Sequence, residues 1–183
     1  SVKREIGGIG VALVQLPPGV SVQQAVSFYS GMSGVVFAEP NGIMQAMFVP
    51  DDPLFGTDQW GPQKIKCPEA WDLNTGDSSV IIAIIDTGVD YNHPDLTGKT
   101  VAGWDFVNGD NDPMDDQGHG THCAGIAAAN TNNAVGMAGV GYNCSIMPVK
   151  VLDAGGFGSW ADIASGIDFA STNGAHVLHL SLG

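Results

Sequence analysis

Apolar residues are about as frequent before residue 48 as after residue 79, but they fall in short broken runs in the first stretch, thin out over 48–79, and gather into strand-length and helix-spaced runs from residue 80. In the first stretch, residues 11–16 form a short apolar run that predicts a strand, closed by Pro17-Pro18-Gly19. Ser21 followed by Gln24 has the pattern of a capping box and predicts a helix through about Tyr29. Val35, Val36 and Phe37 predict a second strand, ended by the turn signal Pro40-Asn41-Gly42. Such a small α+β segment buries little surface and is marginal alone. Residues 48–78 are rich in Pro, Asp, Gly and Trp and predict irregular surface chain with one short helix near 68–73.

From Val80 the pattern changes. Residues 80–85 are a continuous run rich in β-branched side chains, the mark of a strand buried on both faces. Residues 146–152, interrupted by Pro148, and residues 177–182 predict two more strands. Between them lie two helices. One begins near His119 and runs through 124–129. The other spans about 160–172, with Trp160, Ile163, Ala164, Ile167 and Ala170 on one face, Ser159 and Asp162 at its start and Gly174 at its end. Strand and helix in alternation imply an α/β fold, a parallel sheet with helices on both faces. Chemistry collects at the carboxyl ends of such strands, which puts Asp86, Asp153 and Gly183 on the functional edge.

Charge narrows the function. With 6 basic against 19 acidic residues the net charge is −13, a surface that repels phosphate backbones and argues against nucleic-acid binding. No apolar run approaches the roughly 18 residues that cross a bilayer, and no basic-then-apolar leader stands at Ser1. Cys67, Cys123 and Cys144 are too scattered for a zinc site or a disulfide scaffold; either all are thiols or Cys67 and Cys144 pair.

Three segments carry candidate chemistry. The strand at 80–85 delivers Asp86 into the turn Asp86-Thr87-Gly88, where a carboxylate serves either as a turn cap or as a functional group. Gly118-His119-Gly120 sets an imidazole between two glycines at a helix start, a spacing that lets another chain approach closely. His93, His122, His176 and His179 read as structural. Residues 105–116 concentrate Asp105, Asn108, Asp110, Asp112, Asp115 and Asp116. They are either a solvated acidic loop or a wrap around a hard cation such as calcium, which takes about 6–8 oxygens. Gly156-Phe157-Gly158 imitates a dinucleotide fingerprint, yet no acid follows about 20 residues later to hold a ribose, and Phe157 would crowd a pyrophosphate.

Taken together, Ile85-Asp86-Thr87-Gly88-Val89, Asn92-His93-Pro94-Asp95-Leu96, His119-Gly120-Thr121-His122-Cys123-Ala124-Gly125 and Ser181-Leu182-Gly183 resemble the subtilase family of serine proteases, in the same order. Cys123 and the segment from Asp52-Pro53 to Lys64-Ile65 are similar to its thermitase-like branch. The resemblance implies a serine endopeptidase in which Asp86 holds and charge-stabilises the imidazole of His119, and His119 takes a proton from a serine hydroxyl and returns it to the leaving amine. It implies that Gly156, Phe157 and Gly158 on one side and Ser181, Leu182 and Gly183 on the other hold a polypeptide substrate as an added strand. It implies calcium as cofactor at two places. One set is Asp105, Asn108, Asp110 and Asp112, with Met114 where a polar ligand is usual. The other is the Asp52, Asp95 and Asn133 side chains with backbone oxygens near Asn130, Val135 and Met137.

Residues 1–47 then resemble the rear half of a subtilase propeptide, which templates folding and inhibits the cleft as in a zymogen, with a junction between Met47 and Phe48. Residues 48–183 resemble the N-terminal half of a subtilisin-like catalytic domain. A subtilase nucleophile in a Gly-Thr-Ser-Met-Ala context and an oxyanion asparagine are expected and neither motif occurs, so the chain alone is expected to be inert and to need a serine-bearing C-terminal half as partner. The family resemblance also implies secretion. The competing reading is a catalytically inert calcium-binding or inhibitory, chaperone-like fragment of a subtilase.

Overall fold

The computed structural model describes residues 1–43 and 48–183, and the chain divides into a unit of residues 1–46 and a unit of residues 47–183. The expected junction between Met47 and Phe48 lies outside the described residues on its Met47 side.

In the first unit, β1 (Val2–Ile6) and β2 (Val11–Val14) form an antiparallel pair, with Ile6 opposite Val11 and Val2 opposite Val14. Gly10 at φ 65° closes the connection. Helix α1 (Val22–Ser30) starts at the predicted capping box: the Ser21 side chain accepts from Gln24 N, and the Gln24 side chain accepts from Ser21 N. The strand expected at 35–37 does not form, and Val36 is 95% exposed. An apolar triplet that finds no neighbouring strand to pair with stays irregular, its backbone left to water, whatever its propensity. The strand that pairs with β2 is instead β1, exposed throughout, whose apolar Val2 and Ile6 flank three charged residues and show no alternation.

The second unit contains α2 (Trp60–Lys64), α3 (Cys67–Trp71) and a four-stranded sheet. That sheet is parallel, in the order β4 (Trp104–Asp105), β5 (Ser145–Lys150), β3 (Ile81–Asp86), β6 (Val177–His179). Side chains of β3 alternate between the two faces. Ile84 packs with Val89, Ala124, Ala128 and Ile146 beneath α4 (His119–Ala128), whereas Ala83 and Ile85 pack with Met147, Val149 and Ala170 beneath α5 (Trp160–Thr172). Both faces are therefore covered, as expected. Of the predicted apolar face of α5, Ile163 and Ala170 pack on the sheet, joined by Gly166 and Phe169, whereas Ala164 and Ile167 are exposed and Trp160, on the first turn, is 91% exposed.

Pro148 sits inside β5 yet lacks an amide donor. The ladder to the neighbouring chain skips this point: Thr100 bridges Ile146 and Trp104 pairs with Val149, leaving one residue more on the 100–104 side. Gly103 fits there because a Cβ would lie 1.9 Å from Pro148 O. A third cluster joins Phe55, Cys67, Trp71 and Ala138, flanked by Phe48 and Tyr142. Cys67 belongs to this cluster and Cys144 to the one beneath α4, and both are free thiols. Among the described residues, no helix is long and apolar enough to cross a membrane.

Candidate active site

β3 ends on Asp86, fully buried, and α4 opens on His119. The two side chains lie 33 positions apart in sequence and meet: His119 Nδ1 is 2.8 Å from Asp86 Oδ1 and 2.9 Å from Oδ2. Thr87 N donates to Asp86 Oδ1 at 2.7 Å, which offsets part of the cost of burying the carboxylate. The His119 side chain is 42% exposed, so its remaining nitrogen, Nε2, is the one able to take a proton from solvent or a ligand.

Of the two glycines flanking His119, Gly120 serves close packing within the chain, whereas Gly118 has open space around it. A Cβ on Gly120 would sit 2.1 Å from Gly88 O and 3.1 Å from Asp86 Cβ, so the first turn of α4 presses directly on the turn after β3. Gly118 adopts φ 107°, outside the range of ordinary side chains. Cys123, one helical turn after His119, places Sγ 4.0 Å from His119 Nδ1. Burial pushes its thiol pKa up, the Asp86 charge adds to this, and a hydrogen bond with Ser181 works in the opposite direction. Asp86, His119 and Cys123 form the one group of three metal-competent side chains among the described residues.

The predicted substrate-side residues lie in two places. Asp153 N donates to Phe157 O at 2.8 Å, and Asp153 Oδ1 accepts from Gly155 N and Phe157 N, which hold its carboxyl below the usual range. Gly156 adopts φ 80° in this turn, Phe157 is 78% exposed, and Gly158 abuts Val151 O so closely that a Cβ would lie 2.1 Å away. Ser181, Leu182 and Gly183 follow β6; Leu182 packs beneath α5 and Ser181 reaches Cys123.

The two predicted calcium sets differ. Asp52 and Asp95 are both buried, at 3% and 2% exposure. Asp52 Oδ2 accepts from Asn132 N at 2.7 Å, while Oδ1 is buried without a partner among the described residues. Asp95 accepts from Asn133 Nδ2 and Met137 N, and Asp95 O accepts from Asn130 N. Val135 N donates to Asn133 Oδ1. Asn132, Ala134 and Gly136 all have positive φ (59°, 58° and 50°), so the loop winds tightly around these carboxylates. The second set is closed on itself. Asp105 Oδ1 accepts from Val107 N and Asn108 N, its Oδ2 accepts from Asn108 Nδ2, and its N donates to Asp110 O. Asp110 Oδ1 accepts from Asp112 N, and Asp112 Oδ1 from the Tyr91 hydroxyl.

Sequence reasoning missed Thr87 and Lys150 at this site and read Asp115 and Asp116 only as acidic loop. Lys150 was the available signal, a lone cation inside an otherwise apolar predicted strand.

Residues 77–183 match the subtilase family of peptidases S8, and residues 1–41 match the fervidolysin N-terminal prodomain. Thermitase of Thermoactinomyces vulgaris is 56% identical over 74% of this chain and 48% of its own length. A thermophilic serine proteinase of Bacillus sp. strain AK1 is 48% identical over 89% of this chain and 41% of its own. A solved protease from Pseudoalteromonas arctica superposes with a TM-score of 0.65 at 35% identity, covering 74% of this chain and 51% of that one. The chain thus spans less than half the length of these two curated relatives. The order of β3, α4, β5, α5 and β6, the Asp86–His119 contact and a match over residues 77–183 converge on one conclusion: this chain belongs to the subtilase family of serine proteases, in a thermitase-like form.

Proposed function

We propose that this chain supplies the aspartate and histidine of a subtilisin-type serine endopeptidase, with the nucleophilic serine and the oxyanion asparagine carried by further sequence or by a companion polypeptide. The observation that supports the reading is the Asp86–His119 contact through Nδ1. A buried carboxylate on Nδ1 fixes the tautomer in which Nε2 is basic, and the partial exposure of the ring puts that nitrogen where a hydroxyl can reach it. His119 then accepts the serine proton as the hydroxyl attacks a peptide carbonyl and passes it to the departing amine. Asp86 stabilises the imidazolium in between without itself becoming protonated. The substrate backbone is held between Gly156-Phe157-Gly158 and Ser181-Leu182-Gly183 in this reading.

Residues 1–47 act as a propeptide of the protease in residues 48–183, separated at or near the Met47–Phe48 bond. The protein works outside the cell; a relative 36% identical over 96% of this chain is named a halolysin-like extracellular serine protease.

Calcium is the cofactor of this reading. Asp52 and Asp95, with Asn133 and the backbone oxygens of Asn130, Val135 and Met137, would hold it, and the orphaned, buried Asp52 Oδ1 is what favours a cation there. A bound ion would balance the two carboxylates and tie the 130–137 loop to the chain at 51–54. Asp105, Asn108, Asp110 and Asp112 are the second proposed set, where an ion has to replace the Asn108 amide on Asp105.

A fluorophosphonate probe with intact-mass detection tests the assignment on the complete protease. Labelling of a serine that is lost with His119→Ala is the expected result; labelling and turnover unchanged by His119→Ala overturn it.

A further inference from the structure

Thr87 follows Asp86 and is 1% exposed, and every polar group it carries is engaged. Its N donates to Asp86 Oδ1 at 2.7 Å. Its hydroxyl donates to Asp115 Oδ1 at 2.8 Å and accepts from Gly120 N, the residue after His119, at 2.9 Å. Its carbonyl accepts from Lys150 Nζ at 2.7 Å. Lys150 is itself 1% exposed, and its other ammonium protons go to Leu152 O at 2.8 Å and Asp116 Oδ1 at 2.6 Å, so all three donors are spent. Asp115 collects the start of α4: Oδ1 also accepts from Gln117 N and Gly118 N, and Oδ2 from Thr121 N and Thr121 Oγ1. Thr121 Oγ1 in turn accepts from Asp90 N.

We infer that Thr87, held by Asp115 on its hydroxyl and by the Lys150–Asp116 pair on its carbonyl, is a positioning clamp that sets the contact between Asp86 and His119. The inference rests on the catalytic reading of those two residues. A strand end and a helix start have no backbone ladder between them, and the Thr87 hydroxyl bridges them one residue beyond each reacting side chain. Burial raises the Asp115 pKa, but the N–H groups of Gly118, Gln117 and Thr121 and the Thr121 hydroxyl outweigh it and hold the carboxyl below its usual range, in the ionised form that accepts all these bonds. Buried Lys150 supplies the opposite charge in the same network, so neither group is left uncompensated.

Thr87→Val removes the hydroxyl at constant shape and Thr87→Ser restores it. In the complete protease Thr87→Val is expected to lower kcat about ten- to a hundredfold, the scale of a misplaced reacting group, with KM within about twofold. Thr87→Ser is expected to stay within about threefold of wild type. The low-field proton resonance of His119 Nδ1 should shift or broaden in Thr87→Val and return in Thr87→Ser. A Thr87→Val enzyme that keeps both kcat and that resonance while losing only thermal stability overturns the clamp. If Thr87→Val does not fold, Asp116→Asn at the half-exposed end of the Lys150 pair is read by the same two signals: a several-fold fall in kcat with a moved resonance supports the clamp, and no change in either overturns it. A wild-type protease without peptidase activity refutes the proposed function, and the resonance alone then decides the clamp.

Discussion

Asp86 and Asp52 are both aspartates buried to within a few percent of complete exclusion from water, yet their surroundings differ. Both oxygens of Asp86 meet His119, and one also receives an amide. Asp52 has one oxygen on Asn132 N and one on nothing among the described residues. A buried acceptor left unpaired costs about 1–3 kcal/mol, more when charged. The carboxylate completed from within has its partner in the fold; the other is the one at which a calcium ion is proposed. Asp105 sharpens the contrast, since its own loop satisfies both of its oxygens.

The largest effect follows from breaking the completed site. Asp86→Asn, assayed as kcat of the complete protease, is expected to cause a fall of about 10⁴-fold, the scale general to serine-protease triads whose histidine loses its anchoring carboxylate. Next is the incomplete site. With calcium at about a hundred times its dissociation constant, binding adds about 2.7 kcal/mol, so chelation is expected to lower Tm by about 5–10 °C in calorimetry. Asp52→Asn should remove most of that dependence; melting indifferent to chelator, or a chelator shift that survives Asp52→Asn, would break the comparison. The smallest effect concerns Cys123. With its thiol pKa raised by burial and by Asp86, alkylation by iodoacetamide should be slow at neutral pH and climb only in alkaline solution. Asp86→Asn should quicken it a few-fold, read by peptide mass, while buried Cys67 and Cys144 stay unmodified in the native state.

Much of the sheet was legible. The β-branched run at 80–85 is a strand because both of its faces are buried, and Ser159 caps α5 by accepting from Asp162 N as its spacing suggests. The capping box at Ser21 and Gln24 is local chemistry and forms as its spacing predicts. The Asp86–His119 meeting came through family resemblance, since nothing in either segment alone specifies the other. Two kinds of feature stayed hidden. β1 carries Lys3, Arg4 and Glu5 and is exposed throughout, so no apolar alternation announces it. The clamp around Thr87 is built from residues 28 to 63 positions away, a relation set by the β3–β5 register and by the packing of α4 and unreadable from spacing.

The imino acid inside β5 has a reach beyond its own missing donor. Because the neighbouring chain takes up one surplus residue opposite Pro148, the alternation of inward and outward side chains is reset before Trp104 and Asp105. Without that reset the two would trade faces, and the carboxylate that now folds its loop from a buried position would give up that position to the half-buried indole beside it. A single ring closure in one strand thereby chooses which of two adjacent side chains becomes the root of the acidic loop.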